Sequence, residues 1–117
     1  MIFNEKSAVT AAGDFWTFKG TYKDGSTATI NGTEYTGGLK FDKNGAITFT
    51  TATKMTLKVY FTLKSKIALD GDASKIVGVA EGDHYVGTVT VEAGTHTLSK
   101  GKDGESAIFM VELTPAN

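Results

Sequence analysis

Few side chains in this chain are of the kinds that carry chemistry. The sequence has two histidines, His84 and His96, 13 acidic residues, 12 cations that are all lysine, and no cysteine. Without thiols there is no disulfide, no thiolate metal site and no cysteine nucleophile. The histidines lie too far apart for a helical ligand pair and match no zinc spacing. His96, in AGTHTLSK, follows a turn and shares strand parity with Leu98, which predicts a half-buried strand histidine bonded to neighbouring backbone. Asp70, Asp72 and Asp83 bracket one irregular stretch and could offer oxygens to calcium. Their spacing lacks the acidic ladder and closing glutamate of an EF-hand, and aspartate beside glycine is first a turn former. No cofactor is expected, because the 14 glycines include no GxGxxG or P-loop string opening a helix.

The lysines are more informative. In KMTLKVYF, Met55, Leu57, Val59 and Phe61 alternate with Thr56, Lys58 and Tyr60, so one face of an extended strand is apolar and the other polar. Lys54, Thr56, Lys58 and Tyr60 then project to one side, with the two lysines about 13 Å apart at about 3.3 Å per residue. Such a strip suits a polyanionic chain: ammonium groups pair with repeating carboxylates, and Tyr60 adds an apolar plate with a hydroxyl. Exposed lysine also guards strands against edge-to-edge association, so a merely solvating strip is the competing reading. Trp16 is either a stacking platform or, beside Phe15 and Phe18, a core anchor, the reading favoured here.

The elements that must position these residues read as strands. Threonine and the other β-branched and aromatic residues are abundant, the one proline is Pro115, and turn signals recur at intervals typical of a sandwich. We expect an all-β, antiparallel β-sandwich formed by one domain over residues 1–117. An opening strand covers 14–19. Asn31-Gly32 between 27–30 and 33–36 predicts a two-residue type I′ hairpin. Strands 39–42 and 46–51, flanking Lys43-Asn44-Gly45, predict a second hairpin, and 54–63 and 66–70 follow. Residues 73–79 fit either a strand or a short helical turn. Strands 86–92, 95–100 and 107–113, with turns at Ala93-Gly94 and Gly101-Lys102-Asp103-Gly104, predict a closing meander.

Charge and hydropathy remove whole classes of function. With a formal net charge of −1 and no arginine, the chain lacks the basic excess and guanidinium forks of a nucleic-acid binder. No apolar run approaches the length of about 18 residues needed for a helical membrane span. The first residues lack the basic then apolar pattern of a signal peptide, so export would rely on a segment outside these 117 residues.

Longer strings carry a resemblance. INGTEYTGGLKFDKNGAITFTTATKMTLKVYF, KIALDG, GTVTVEAGTHTLSKG and AIFMVEL, in that order over about residues 30–113, resemble the small β-sandwich domains appended to bacterial pectate lyases. They look most like the pectin-binding modules of carbohydrate-binding module family 77. The resemblance implies a non-catalytic module that binds homogalacturonan through lysines facing its uronate carboxylates, secreted or held at the cell surface as part of a larger enzyme. Lys40 in GGLKF and Lys100 in THTLSKG stand in matching motifs, and Lys54 in TTATKMTL stands before the matching strand; Lys58 and Tyr60 enter from the strand-face argument alone. Residues 71–85 form a longer segment than the family's turn and strand. A structural or adhesive spacer domain is the alternative function. An enzyme acting on polyuronate is the weakest, since such lyases use a calcium-bound substrate and a basic residue on a much larger scaffold.

Overall fold

A computed structural model of the chain describes residues 16–20, 22–30, 32–41, 45–62, 67–76, 78–101 and 106–116. Among the described residues there are eleven strands: β1 (Trp16–Lys19), β2 (Tyr22–Ile30), β3 (Thr33–Phe41), β4 (Ala46–Thr51), β5 (Met55–Phe61), β6 (Ile67–Leu69), β7 (Asp72–Ile76), β8 (Val79–Glu81), β9 (His84–Val91), β10 (Gly94–Lys100) and β11 (Ser106–Pro115). They form two antiparallel sheets, five-stranded in the order β1-β4-β10-β6-β7 and six-stranded in the order β2-β3-β11-β5-β9-β8.

The alternation of the sequence explains the layering. Ile47, Phe49, Ile67, Leu69, Ile76 and Leu98 point from the five-stranded sheet into one apolar cluster. There they meet Leu39, Phe41, Leu57, Val59, Phe61, Val91, Ile108 and Val111 from the six-stranded sheet. Most are fully buried, and each contributes about 1.5 to 3 kcal/mol by leaving water. The β-sandwich expected from composition is therefore the observed fold.

Local strand readings held better than the connections between them. Ile30 pairs directly with Thr33, and Gly32 has a φ of 80°, as a two-residue hairpin requires; Asn31 is outside the described residues. The second hairpin is not formed, because β3 and β4 belong to different sheets. Phe41 at the end of β3 and Ile47 in β4 are both fully buried and face the same core from opposite layers. Lys43 and Asn44 are outside the described residues. The closing meander is corrected in the same way: β9, β10 and β11 alternate between sheets, pairing instead with β5, β4 and β5 respectively. Its turn at residues 102–104 is outside the described residues. In the undecided stretch 73–79, residues 73–76 belong to β7 in one sheet and Val79 begins β8 in the other, while Val77 is outside the described residues. Asp14 and Phe15 are outside the described residues, as are the side chains of Trp16 and Phe18. The backbones of Trp16 and Phe18 lie opposite the core residues Phe49 and Ile47.

Strand β3 runs unbroken through Gly37-Gly38, where a break was expected. A Cβ on Gly38 would stand 2.5 Å from the carbonyl oxygen of Ile108, so bare backbone is what lets β3 lie against β11. The register of β11 shifts between Ile108 and Met110, a bulge that turns both Phe109 and Met110 to the outer face. There they join Ala28, Ile30, Tyr35, Tyr60 and Val86 in a second buried cluster. The far half of the β2-β3 hairpin roofs that cluster and reaches the opposite sheet edge, where the Thr29 N–H donates to the Asp83 carboxylate at 3.0 and 3.2 Å.

Gly38→Ala is expected to lower unfolding stability by about 1 to 3 kcal/mol, the usual range for forced overpacking. Urea denaturation measures this, and a loss below about 0.5 kcal/mol, the range of neutral surface changes, would show that β3 tolerates a side chain at that crossing.

Candidate functional site

The outer face of the six-stranded sheet is divided in two. One half is roofed by the hairpin. The other is open and is built by cross-strand rows: Glu112, Lys58 and Thr88 stand side by side on β11, β5 and β9, followed by Thr114, Thr56 and Thr90. Thr88, Thr90 and Thr114 are exposed, while Thr56, Lys58 and Glu112 are half-buried. The patch thus offers hydroxyls, one ammonium group and one carboxylate at the close spacing of paired strands. The strip read from β5 was part of this surface. Its partners Thr88, Thr90, Glu112 and Thr114 were missed, because parity assigns a residue to a face but only register assigns its neighbour.

Tyr60 differs from its expected place. The Lys58 Nζ lies 5.9 Å from the Tyr60 ring centroid, so the two share a face as alternation requires. Tyr60 is, however, only 4 % exposed, lying in the cluster under the hairpin beside Tyr35, Phe109 and Met110. Its ring supports Lys58 from below by cation–π attraction and is not an open plate for a sugar. Burial, and after it the charge of Glu112 and the neighbouring Tyr60, push the Tyr35 phenol above its ordinary value.

The four lysines fall at different levels of the sandwich. Lys54 precedes β5 in an exposed bend, its Nζ 4.0 Å from Glu92 Oε1 and its carbonyl accepting the Ala116 N–H. Lys58 lies four residues further along β5, about 13 Å away at about 3.3 Å per residue. Lys40 pairs with Ala107, at the other end of β11 and about 26 Å from Lys54 by the same measure. Lys100 ends β10 opposite Ile67; six residues later the chain enters β11 opposite Phe41, so Lys100 lies at the Lys40 end. By strand register Lys54 and Lys58 lie toward one end of the sandwich, and Lys40, on the six-stranded sheet, and Lys100, on the five-stranded sheet, lie toward the other.

Beside Lys54 lies a tighter arrangement. His96 Nδ1 is 2.7 Å from Asp70 Oδ2 and Nε2 is 2.7 Å from the Glu92 carbonyl oxygen. Both partners are acceptors, so both contacts are hydrogen bonds only when the ring carries two protons. Burial alone would lower the His96 pKa, but the Asp70 hydrogen bond, the Glu92 carbonyl and the Asp70 charge outweigh it and hold it above its ordinary value. Burial likewise pushes Asp70 up, yet hydrogen bonds from His96 and the Thr97 N–H, with the charges of His96 and Lys75, bring it below its ordinary value. Asp70 has a φ of 52°, uncommon outside glycine but accessible to aspartate. It is held there by its N–H to the Thr97 carbonyl at 2.8 Å and by the Thr97 N–H to its own Oδ1 at 2.9 Å. The expected backbone-bonded strand histidine is what is found, with an additional carboxylate that spacing did not reveal.

The other aspartates also act on turns. Asp72 accepts the Ser74 N–H at 2.8 Å. Asp83 receives the Thr29 N–H and faces His84 Nδ1 at 3.0 Å. Asp70 and Asp72 belong to the β6-β7 turn, whereas Asp83 lies in the β8-β9 turn of the other sheet. Among the described residues no group of three or more His, Asp or Glu gathers as a metal site.

Comparison with known proteins agrees with this architecture. The family model described as carbohydrate binding module 77 matches residues 2–111. A solved structure described in connection with the Ruminococcus flavefaciens cellulosome and its expansion in glycan recognition superposes with a TM-score of 0.71 at 26% identity. That likeness covers 87% of this chain and 82% of the other. Among curated proteins none matches.

The two partners of the His96 contact titrate in opposite directions, which defines a pH window. The raised His96 contributes stability that is complete below its unfolded value of 6.5 and is lost as pH rises through the higher folded value. The lowered Asp70 contributes stability present above 3.8 and lost as pH falls through its lower folded value. Urea unfolding is expected to show greatest stability between these limits. His96→Phe should remove about 1.5 kcal/mol at pH 5.5, the usual scale for hydrogen bonds to charged groups; an unchanged pH profile in that variant would assign the dependence elsewhere.

Proposed function

The chain belongs to carbohydrate-binding module family 77, a family of non-catalytic modules, and from that premise we propose that its ligand is an acidic plant polysaccharide, homogalacturonan or pectate. The observation that carries the reading is the open face of the six-stranded sheet, where Lys58 is bordered by threonine hydroxyls and Lys54 stands at the rim. Hydroxyls match the alcohol groups of a sugar chain, and ammonium groups match its carboxylates. Lys40 and Lys100 serve as a second cationic contact at the opposite end, engaged by a longer stretch of the same polymer. Tyr60 acts indirectly, holding Lys58 in place.

The module works outside the cell as one part of a larger polysaccharide-degrading enzyme, concentrating it on its substrate. Exposed ion pairs contribute about 0 to 1 kcal/mol each, so binding is modest and needs several contiguous uronates. It weakens as salt shortens the Debye length.

Affinity electrophoresis in polygalacturonate against highly methyl-esterified pectin tests this. Retardation is expected only in the first gel, and equal mobility in both removes the proposal in favour of a spacer. Each of Lys40→Ala, Lys54→Ala, Lys58→Ala and Lys100→Ala should weaken binding by up to about fivefold, equivalent to about 1 kcal/mol. A variant lacking all four that still binds as wild type would place the ligand on another surface.

A further inference from the structure

We propose that the Asp70–His96–Glu92 arrangement is a pH-sensitive clamp: the doubly protonated ring fixes the β9-β10 turn beside Lys54, and loss of one proton releases that turn and weakens capture of an anionic glycan at this end. The ligand half of the inference rests on the pectate reading. The clamp half stands on geometry alone.

The geometry also decides which bond breaks. Asp70 is bolted to β10 without the histidine, through its N–H to the Thr97 carbonyl and the Thr97 N–H to its carboxylate. The neutral ring therefore keeps its remaining proton on Nδ1, facing that fixed carboxylate. Nε2 is then a bare lone pair opposed to the Glu92 carbonyl oxygen at 2.7 Å. The carbonyl retains one other donor, the Thr51 hydroxyl at 3.2 Å. Residues 92 and 93 are exposed, so the turn is the part with room to move.

The surroundings set the sign. Around the ring, Asp70 comes from the β6-β7 turn, Lys75 from β7 and Glu92, with its partner Lys54, from the β9-β10 turn. Strand β4 contributes the uncharged Phe49, its ring centroid 5.7 Å from that of His96. The Glu92 carboxylate already contacts Lys54 with the turn held, and His96 bonds only the Glu92 backbone carbonyl, so the sign comes from the ring: deprotonation removes a positive charge from this end. That loss disfavours an anionic ligand, whose uronate groups stay ionised well above the ordinary carboxylate range.

Two measurements test this. In amide NMR between pH 5 and 8.5, the signals of residues 92–95 should titrate with the same midpoint as the His96 ring, and stay flat in His96→Phe. His96→Gln, uncharged over the range, replaces His96→Phe if the latter does not fold. Flat wild-type signals, or a titration that persists in the variants, overturn the clamp. Polygalacturonate affinity at constant ionic strength should be about fivefold weaker at pH 8 than at pH 5.5, the lower range of coupling between sites, and pH-independent in the variants. A clamp that titrates while affinity stays constant overturns its coupling to the ligand. Absence of binding at both pH values overturns the pectate reading, leaving the clamp to be judged by the amide signals.

Discussion

Strand β11 is buried on both faces over residues 106–111, and most of the architecture follows from that constraint. It lies between β3 and β5 in the six-stranded sheet. Its bulge lets Ile108 and Val111 enter the interlayer core while Phe109 and Met110 turn outward. An ordinary alternating strand would leave one face wet. Here the outward pair creates an apolar surface that must itself be covered, and the β2-β3 hairpin covers it. The close approach at Gly38, the clasp between Thr29 and Asp83, and the burial of Tyr60 are consequences of the same strand.

That second cluster also determines what remains available to a ligand. By roofing the sheet near Tyr60 and Val86, the hairpin confines the open surface to the rows containing Lys58, Glu112 and the threonines. Lys58 marks the border, its ammonium over the Tyr60 ring. The aromatic plate that a sugar-binding face commonly offers is spent here on packing. What the surface retains is hydrogen-bonding capacity and charge, which serve direct polar contacts and not ring stacking.

Much of the fold was readable locally. The alternation in KMTLKVYF assigned β5 and both its faces, and Asn31-Gly32 located the one hairpin whose register it predicts. The β3-β4 and β9-β10 connections failed for a common reason: a glycine-bearing turn between two apolar strands looks the same whether the second strand pairs with the first or crosses to the facing sheet. Phe41 with Ile47, and Val91 with Leu98, satisfy either arrangement as a pattern of inward residues. The candidate lysines were individually legible as exposed cations in matching strings. Their separation into two groups was not, since it depends on the offset between β3, β5, β10 and β11.

By itself the sequence determined that this is an all-β chain and which residues of β5 face inward, because period-two burial is a property of neighbouring residues. Only the tertiary structure decided which strands pair, that Tyr60 is covered, and that His96 meets Asp70 across 26 positions. Those outcomes depend on contacts between distant segments, whose free energy is shared among many side chains and is written in no single stretch of the chain.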